Sequence, residues 1–245
     1  MGSFLHEEGI RIARGLVPGT ISQNVFGFNA SIGTNWETIH TPGNLIIYPQ
    51  TAGVVSITTT DSENNPSGSG AGFCNLRGLD ADFKMIEEVV VLDGTNTVTS
   101  DKEFIRINRA CLDCTQGDGK LAGTLSATIN GQQIFTIDSQ YDNTALRAVY
   151  TVPAGYDGFI NQTTFVHGKE NQAGLIGLFV RPFERSFRLF GLYETFQGSV
   201  IDPNYQVPIR LPEKTDIEFR MRSLSGSVSG SASMGLIIVR NRTYD

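Results

Sequence analysis

The sequence predicts an all-β fold of two tandem antiparallel β-sandwich regions, jelly-roll-like, preceded by an extended N-terminal arm. Three observations carry this expectation. Short strand-like runs, from AVYTV beginning at Ala148 to LIIV ending at Val239, are broken at regular intervals by Pro, Gly, Asn and Asp. That spacing suits hairpins and antiparallel strands better than helices or parallel α/β units. Gly is abundant at 27 residues while charged residues are only 18%, a turn-rich β composition. A hydrophobic fraction of 40% over 245 residues supports properly buried cores.

Residues 1–18 have weak periodicity and run into the turn-forming Val17-Pro18-Gly19. They read as an extended arm that a neighbouring subunit orders, with Phe4, Leu5, Ile10 and Ile12 as its candidate contacts. The first sandwich, 19–147, carries NVFGFNASI, WETIH, NLIIYP, GVVSITTT, GFCNLRGL, KMIEEVVVL, EFIRINRACL, GTLSATI and QQIFTI. Asn130-Gly131 between its last two runs is the clearest hairpin signal, a two-residue type I′ turn. The second sandwich, 148–245, shows strict alternation in DIEFRMR. Ile217, Phe219 and Met221 point one way and Glu218, Arg220 and Arg222 the other, one buried face and one wet face. One continuous sandwich with an inserted hairpin is the alternative arrangement.

A net charge of −6 and a pI near 5.1 oppose nonspecific binding to nucleic acid, which needs a local surplus of Lys and Arg. The densest basic stretch, Arg181, Arg185 and Arg188 with Glu184 among them, reads as a strand edge or subunit contact. No run is long and apolar enough for a membrane-spanning helix, and the opening residues lack the apolar centre of a secretory signal. Cys74, Cys111 and Cys114 read as reduced thiols. Cys111-Leu-Asp-Cys114 is half of a zinc or redox motif, and His6, His40 and His167 have no paired ligand spacing with it. Neither a metal nor any other cofactor is expected.

The SGSGAG run at Ser67–Gly72 lacks the following helix that a phosphate cradle requires and reads as a flexible hairpin tip. Glu87 and Glu88 face opposite sides of a strand, and Asp80 and Asp82 read as turn residues, so no catalytic carboxylate pair is expected. No local nucleophile and base arrangement accompanies His40 or His167. Trp36, the only tryptophan, is a candidate core or interface anchor. Arg181, Phe183 and Arg185 combine the guanidinium and aromatic groups enriched at protein contacts. Trp36, Tyr48, Tyr193 and Tyr205 are alternative stacking surfaces for a glycan.

The ordered words IARGLVPGTISQNVFGFNASIGTNWETI, YPQTAGVVSITTT, GSGAG, LRGLDADF, EEVVVLDGTNTV and FIRINRA, then YTVPAGYDGFI, HGKENQAG, LFVRPF, LPEKTDIEFRM and LIIVRN, resemble a family of structural proteins of tailed bacteriophages, of the marine and cyanophage type. The resemblance runs over nearly the whole chain. It implies a non-enzymatic virion component, assembled in the host cytoplasm as repeated copies. The expected role is a capsid decoration or cement protein, a homotrimer seated on the major capsid protein. A tail adaptor, baseplate or fibre-base protein is the alternative, and a host-attachment module binding surface glycans is the second.

Overall fold

The structure, a computed structural model, describes residues 2–113, 120–141, 143–168, 172–196 and 198–241. Cys114 and the side chains of Phe4, Leu5 and His6 lie outside the described residues. Strands dominate the described residues, and the α-helix among them is one segment near the N-terminus, so the expected all-β class is what forms.

The N-terminal segment corrects the expectation of an extended arm. Gly2–Ala13 forms α1, and the helix is closed by a Schellman motif. Gly15 stands at φ 68; its N–H donates to the Ile12 carbonyl, and the Leu16 N–H donates to that of Arg11, both at 2.9 Å. Glu8 and Arg11, one turn apart, pair at 2.8 Å. The stop signal at Gly15 and this charge spacing were the helical cues, and apolar periodicity alone did not carry them.

The strands follow as β1 (Thr20–Ile32), β2 (Glu37–Thr38), β3 (Gly53–Thr59), β4 (Phe73–Leu79), β5 (Met85–Val91), β6 (Val98–Phe104), β7 (Arg106–Asp113), β8 (Thr124–Ile129) and β9 (Gln132–Asp138). A 3-10 turn at Ser139–Tyr141 leads to β10 (Val149–Thr151), β11 (Tyr156–His167), β12 (Ala173–Arg181), β13 (Arg188–Phe196), β14 (Val200–Ile201), β15 (Asn204–Leu211), β16 (Asp216–Ser223) and β17 (Val228–Arg240). Their pairings are antiparallel.

Four sheets result. One runs β1-β17-β11, with β14 and β15 both against β11; the second runs β10-β16-β12-β13, with β2 against β16. These two share a core in which Phe165, Leu236 and Ile238 of the first meet Ile176, Ile217 and Phe219 of the second. The other two, β6-β3-β8-β9 and β5-β4-β7, share a separate core of Ile57, Leu125 and Phe135 with Leu76, Ala110 and Leu112.

The expected division at 147/148 is therefore corrected. β1 pairs with β17 from Thr20↔Val239 to Ile32↔Val228, so the opening strand belongs with the second region, and the strands between 53 and 138 are inserted into it. The insertion is a complete two-sheet unit, larger than the hairpin of the alternative reading. Alternation in NVFGFNASI identifies a strand but says nothing of its partner, which lies at the far end of the chain.

Two local expectations hold. Asn130 and Gly131 take φ 50 and 75, the double positive φ of a type I′ turn, and Ile129 pairs with Gln132 across it. Ile217, Phe219 and Met221 are fully buried on one face of β16. Its other face is not wet. Glu218 is fully buried, because Arg220 and a layer of aromatic rings cover it. Nor is the Gly-rich run a loose tip: the buried Asn64 amide accepts from the Ala71 and Ala122 N–H groups and donates to the Ala122 carbonyl, closing that loop onto the inserted unit.

Candidate functional site

Two surfaces stand out, an arginine-rich joint inside the chain and an apolar strip outside it. The joint forms where the inserted unit meets β16. Arg106 of β7 reaches Asp216 with Nε 2.8 Å from Oδ1, and Arg181 of β12 donates to the other oxygen from Nε at 2.9 Å and from NH2 at 2.6 Å. Thr151 Oγ1 also donates to Asp216, at 2.6 Å. The Tyr48 ring takes both guanidiniums, with Arg106 5.0 Å and Arg181 4.5 Å from its centroid.

The aromatic layer continues outward from Tyr48. Phe187 holds Arg181 and Arg220, Phe179 holds Arg220, and Trp36 packs edge-on against Phe179 with Arg222 near its face. Below it, Glu218 is ion-paired to Arg220 and accepts from Thr38 Oγ1 at 2.9 Å. Burial raises the Glu218 pKa, while Arg220 and Thr38 oppose that rise. Each arginine is both ion-paired or stacked and partly removed from water, the arrangement that makes guanidinium suited to internal joints.

Trp36 and Arg181, candidate interface residues by sequence, are thus engaged within the chain. Tyr48 lies in the same stack, and the Tyr193 and Tyr205 hydroxyls sit 3.4 Å apart against the main core, so the four rings do not form one glycan platform. Phe183 and Arg185 remain exposed, Phe183 with one ring edge on Phe83. Ile10 is exposed on α1 and Ile12 is half-buried.

The apolar strip was missed by sequence reasoning. Among the described residues β13 is the outer strand of its sheet and pairs with β12 alone. It exposes Leu189, Phe190, Leu192 and Phe196, the two phenylalanines at 57% and 56%. Val200 and Val207 add exposed apolar surface beyond it. A β-bulge moves the register from Leu178↔Gly191 to Phe179↔Leu189, which leaves Phe190 unpaired. The available signal was FRLFGLYETF itself: a strand apolar on both faces is normally covered on both.

The polar candidates are dispersed. The described residues hold no group of three or more His, Cys, Asp or Glu able to bind a metal, and no described helix is long and apolar enough to cross a membrane. Cys74 is buried and its thiol pKa is pushed up by desolvation, while Cys111 lies half-buried on the neighbouring strand. Asp80 Oδ1 accepts from the Asp82 and Lys84 N–H groups, the turn role expected of it. Glu87 pairs with Arg77, whereas Glu88 accepts from the Asp101 and Lys102 N–H groups.

His40 donates from Nε2 to the Gly43 carbonyl at 2.7 Å. Burial, and secondarily the Arg147 guanidinium, lower its pKa from 6.5 to about 4. Between those values the unfolded chain binds a proton that the folded chain refuses, so stability falls as pH drops through this window. The expected loss is on the order of 3 kcal/mol. Urea midpoints measured across the window should show it, and His40→Gln should flatten the slope.

No protein-family model matches the chain, and no curated protein matches its sequence; the resemblance to tailed-phage structural proteins has no counterpart there. Among solved structures, infectious bursal disease virus of the Gx strain is similar at 11% identity and a TM-score of 0.26, over 92% of this chain and 73% of that one. The VP2 subviral particle of infectious bursal disease virus is similar at 8% identity and a TM-score of 0.22, over 91% of this chain and 73% of that one. At TM-scores this low the superpositions assign neither fold nor function to the chain.

Proposed function

We propose that the chain is a non-enzymatic structural subunit of a virus particle that associates with copies of itself through β13. The exposed strip on that strand carries the reading. Leu189, Phe190, Leu192 and Phe196 are all exposed along one outer strand, with Glu194 between the last two, and burying apolar area gains about 25 cal/mol per Å². The unpaired N–H and C=O groups of an outer strand offer a neighbour a second set of contacts. Each facing pair of sheets is read as a β-sandwich of the jelly-roll kind, which supplies broad rigid faces for packing.

α1 is the second proposed contact. Twelve residues make a marginal helix in water, so a partner surface would complete it, with the exposed Ile10 as a contact. In the finer form of the proposal the subunit is a homotrimeric decoration or cement protein on the major capsid protein of a tailed phage. A place in the tail, as an adaptor, baseplate or fibre-base protein, is the other form. Labelling the protein in purified particles separates them: signal over the head supports the first, signal at the tail alone the second, and no signal on particles overturns both.

Self-association is tested by sedimentation. The native chain is expected to run as an oligomer, and the pair Leu192→Glu with Phe196→Glu to run as a monomer with unchanged circular dichroism. A native chain that stays monomeric at all concentrations and binds no particle overturns the proposal.

A further inference from the structure

We propose that the cleft between β1 and the β5-β4-β7 sheet binds a carboxylated sugar, a uronic acid residue held by Arg109 and Arg147. The cleft has a volume of about 310 Å³, at the lower end of the range for small-ligand pockets, roughly 300–1,000 Å³. It is distinct from β13 and adjoins the arginine joint through Arg147, which lies near Tyr48, and it stands whether or not the chain is a virion subunit.

Charge points to an anion. Arg77, Arg109 and Arg147 line the cleft with a single carboxylate, Glu87, a local surplus of two positive charges in a chain of net charge −6. Arg77 takes Glu87 at 3.5 Å. Arg109, its cross-strand partner in register, is exposed and has no ion pair among the described residues. Arg147 is only 7% exposed, donates from NH1 to the Ile107 carbonyl at 2.7 Å, and leaves its buried Nε without a partner. Burial lowers its pKa to about 10. A buried cation without a counter-charge is unfavourable unless something pairs with it, and a carboxylate in the cleft would supply that pair with charge-assisted hydrogen bonds.

The rest of the wall suits a sugar better than a bare anion. Gln23 and Asn24 border the cleft from consecutive positions of β1, so their side chains leave opposite faces of the strand and one amide, not both, is offered to a ligand. Neither makes a side-chain hydrogen bond among the described residues, and such an amide can both donate to and accept from ring hydroxyls. Phe26 and Met85 add apolar surface of the kind that packs against the C–H face of a sugar ring. A pocket that is mostly apolar with a few convergent polar groups fixes orientation as well as affinity.

Titration calorimetry of the full chain with D-glucuronate, D-glucose and acetate tests the assignment. Glucuronate is expected to bind saturably, with glucose and acetate each weaker by about tenfold or more, the factor expected when one charge-assisted contact or the hydroxyl contacts are lost. Arg109→Ala should weaken glucuronate by a similar factor while the thermal transition stays in place, since that exposed side chain makes no ion pair or hydrogen bond among the described residues, and Arg109→Glu should abolish binding. Glucose binding as tightly as glucuronate, acetate binding as tightly as glucuronate, no saturable binding, or binding unaffected by Arg109→Glu each overturns the proposal. A polyuronate binding more tightly than the monosaccharide identifies a polymer as the source of the ligand, and equal binding identifies the free sugar.

Discussion

Replacing Asp216 with Ala is expected to destabilise the fold by about 3–5 kcal/mol. The carboxylate is 5% exposed, and the two guanidiniums that converge on it are 9% and 21% exposed for Arg106 and Arg181. Removing the anion leaves two cations without their partner inside a layer of aromatic rings, and Thr151 Oγ1 loses its acceptor. The pair formed by Asp157 and Arg210, with the arginine 65% exposed, is the control: Asp157→Ala should cost about 0–1 kcal/mol. Urea unfolding measures both. Arg106 belongs to the inserted unit and Asp216 to the unit that surrounds it, so Asp216→Ala should also separate their unfolding into two calorimetric transitions. A variant that keeps one transition and loses less than the control would show that the joint does not couple the units.

Local structure was legible in the sequence wherever one short stretch contains its own reason. Asn130-Gly131 supplies both positive φ values of its turn, and Ile217, Phe219 and Met221 are spaced to reach one core. Long-range facts were not legible. Which strand β1 joins depends on β17, and whether the outer face of β16 is wet depends on Trp36, Tyr48, Phe179 and Phe187 arriving from elsewhere in the chain. The candidate surfaces follow the same division. Arg181 read as an exposed contact because its partner, Asp216, lies on a later strand, and Arg147 read as nothing at all because its lack of a counter-charge is a property of the folded surroundings. The strip on β13 was visible as apolar residues, yet its exposure depends on β13 being an edge, which pairing alone decides.

Gly27→Ala is expected to cost on the order of 3 kcal/mol or more, above the ordinary overpacking penalty, because the obstacles are backbone atoms and not movable side chains. A Cβ at residue 27 would collide with the Ala148 nitrogen and the Ile39 carbonyl oxygen. These atoms mark where the chain leaves the outer unit and where it comes back from the insertion. The two passing segments are stitched together: the Ala148 N–H donates to Ile39 at 3.0 Å, the Thr41 N–H to Leu146 at 3.2 Å, and His40 bridges Arg147. β1 crosses this stitch at Gly27, and only a residue without a side chain lets the strand pass close enough to keep its register with β17. Displacing it would pull β1 from the core that Val25 and Ile32 enter and would disturb the Arg147 wall of the cleft. Gly9→Ala on α1, where a Cβ meets nothing within 4 Å, is the matched control and should not lower stability. Thermal unfolding distinguishes the two substitutions. A Gly27→Ala melting curve equal to that of the native chain would mean that β1 can shift away from the stitch without loss, and that the approach of the two backbones is not what holds the inserted unit in place.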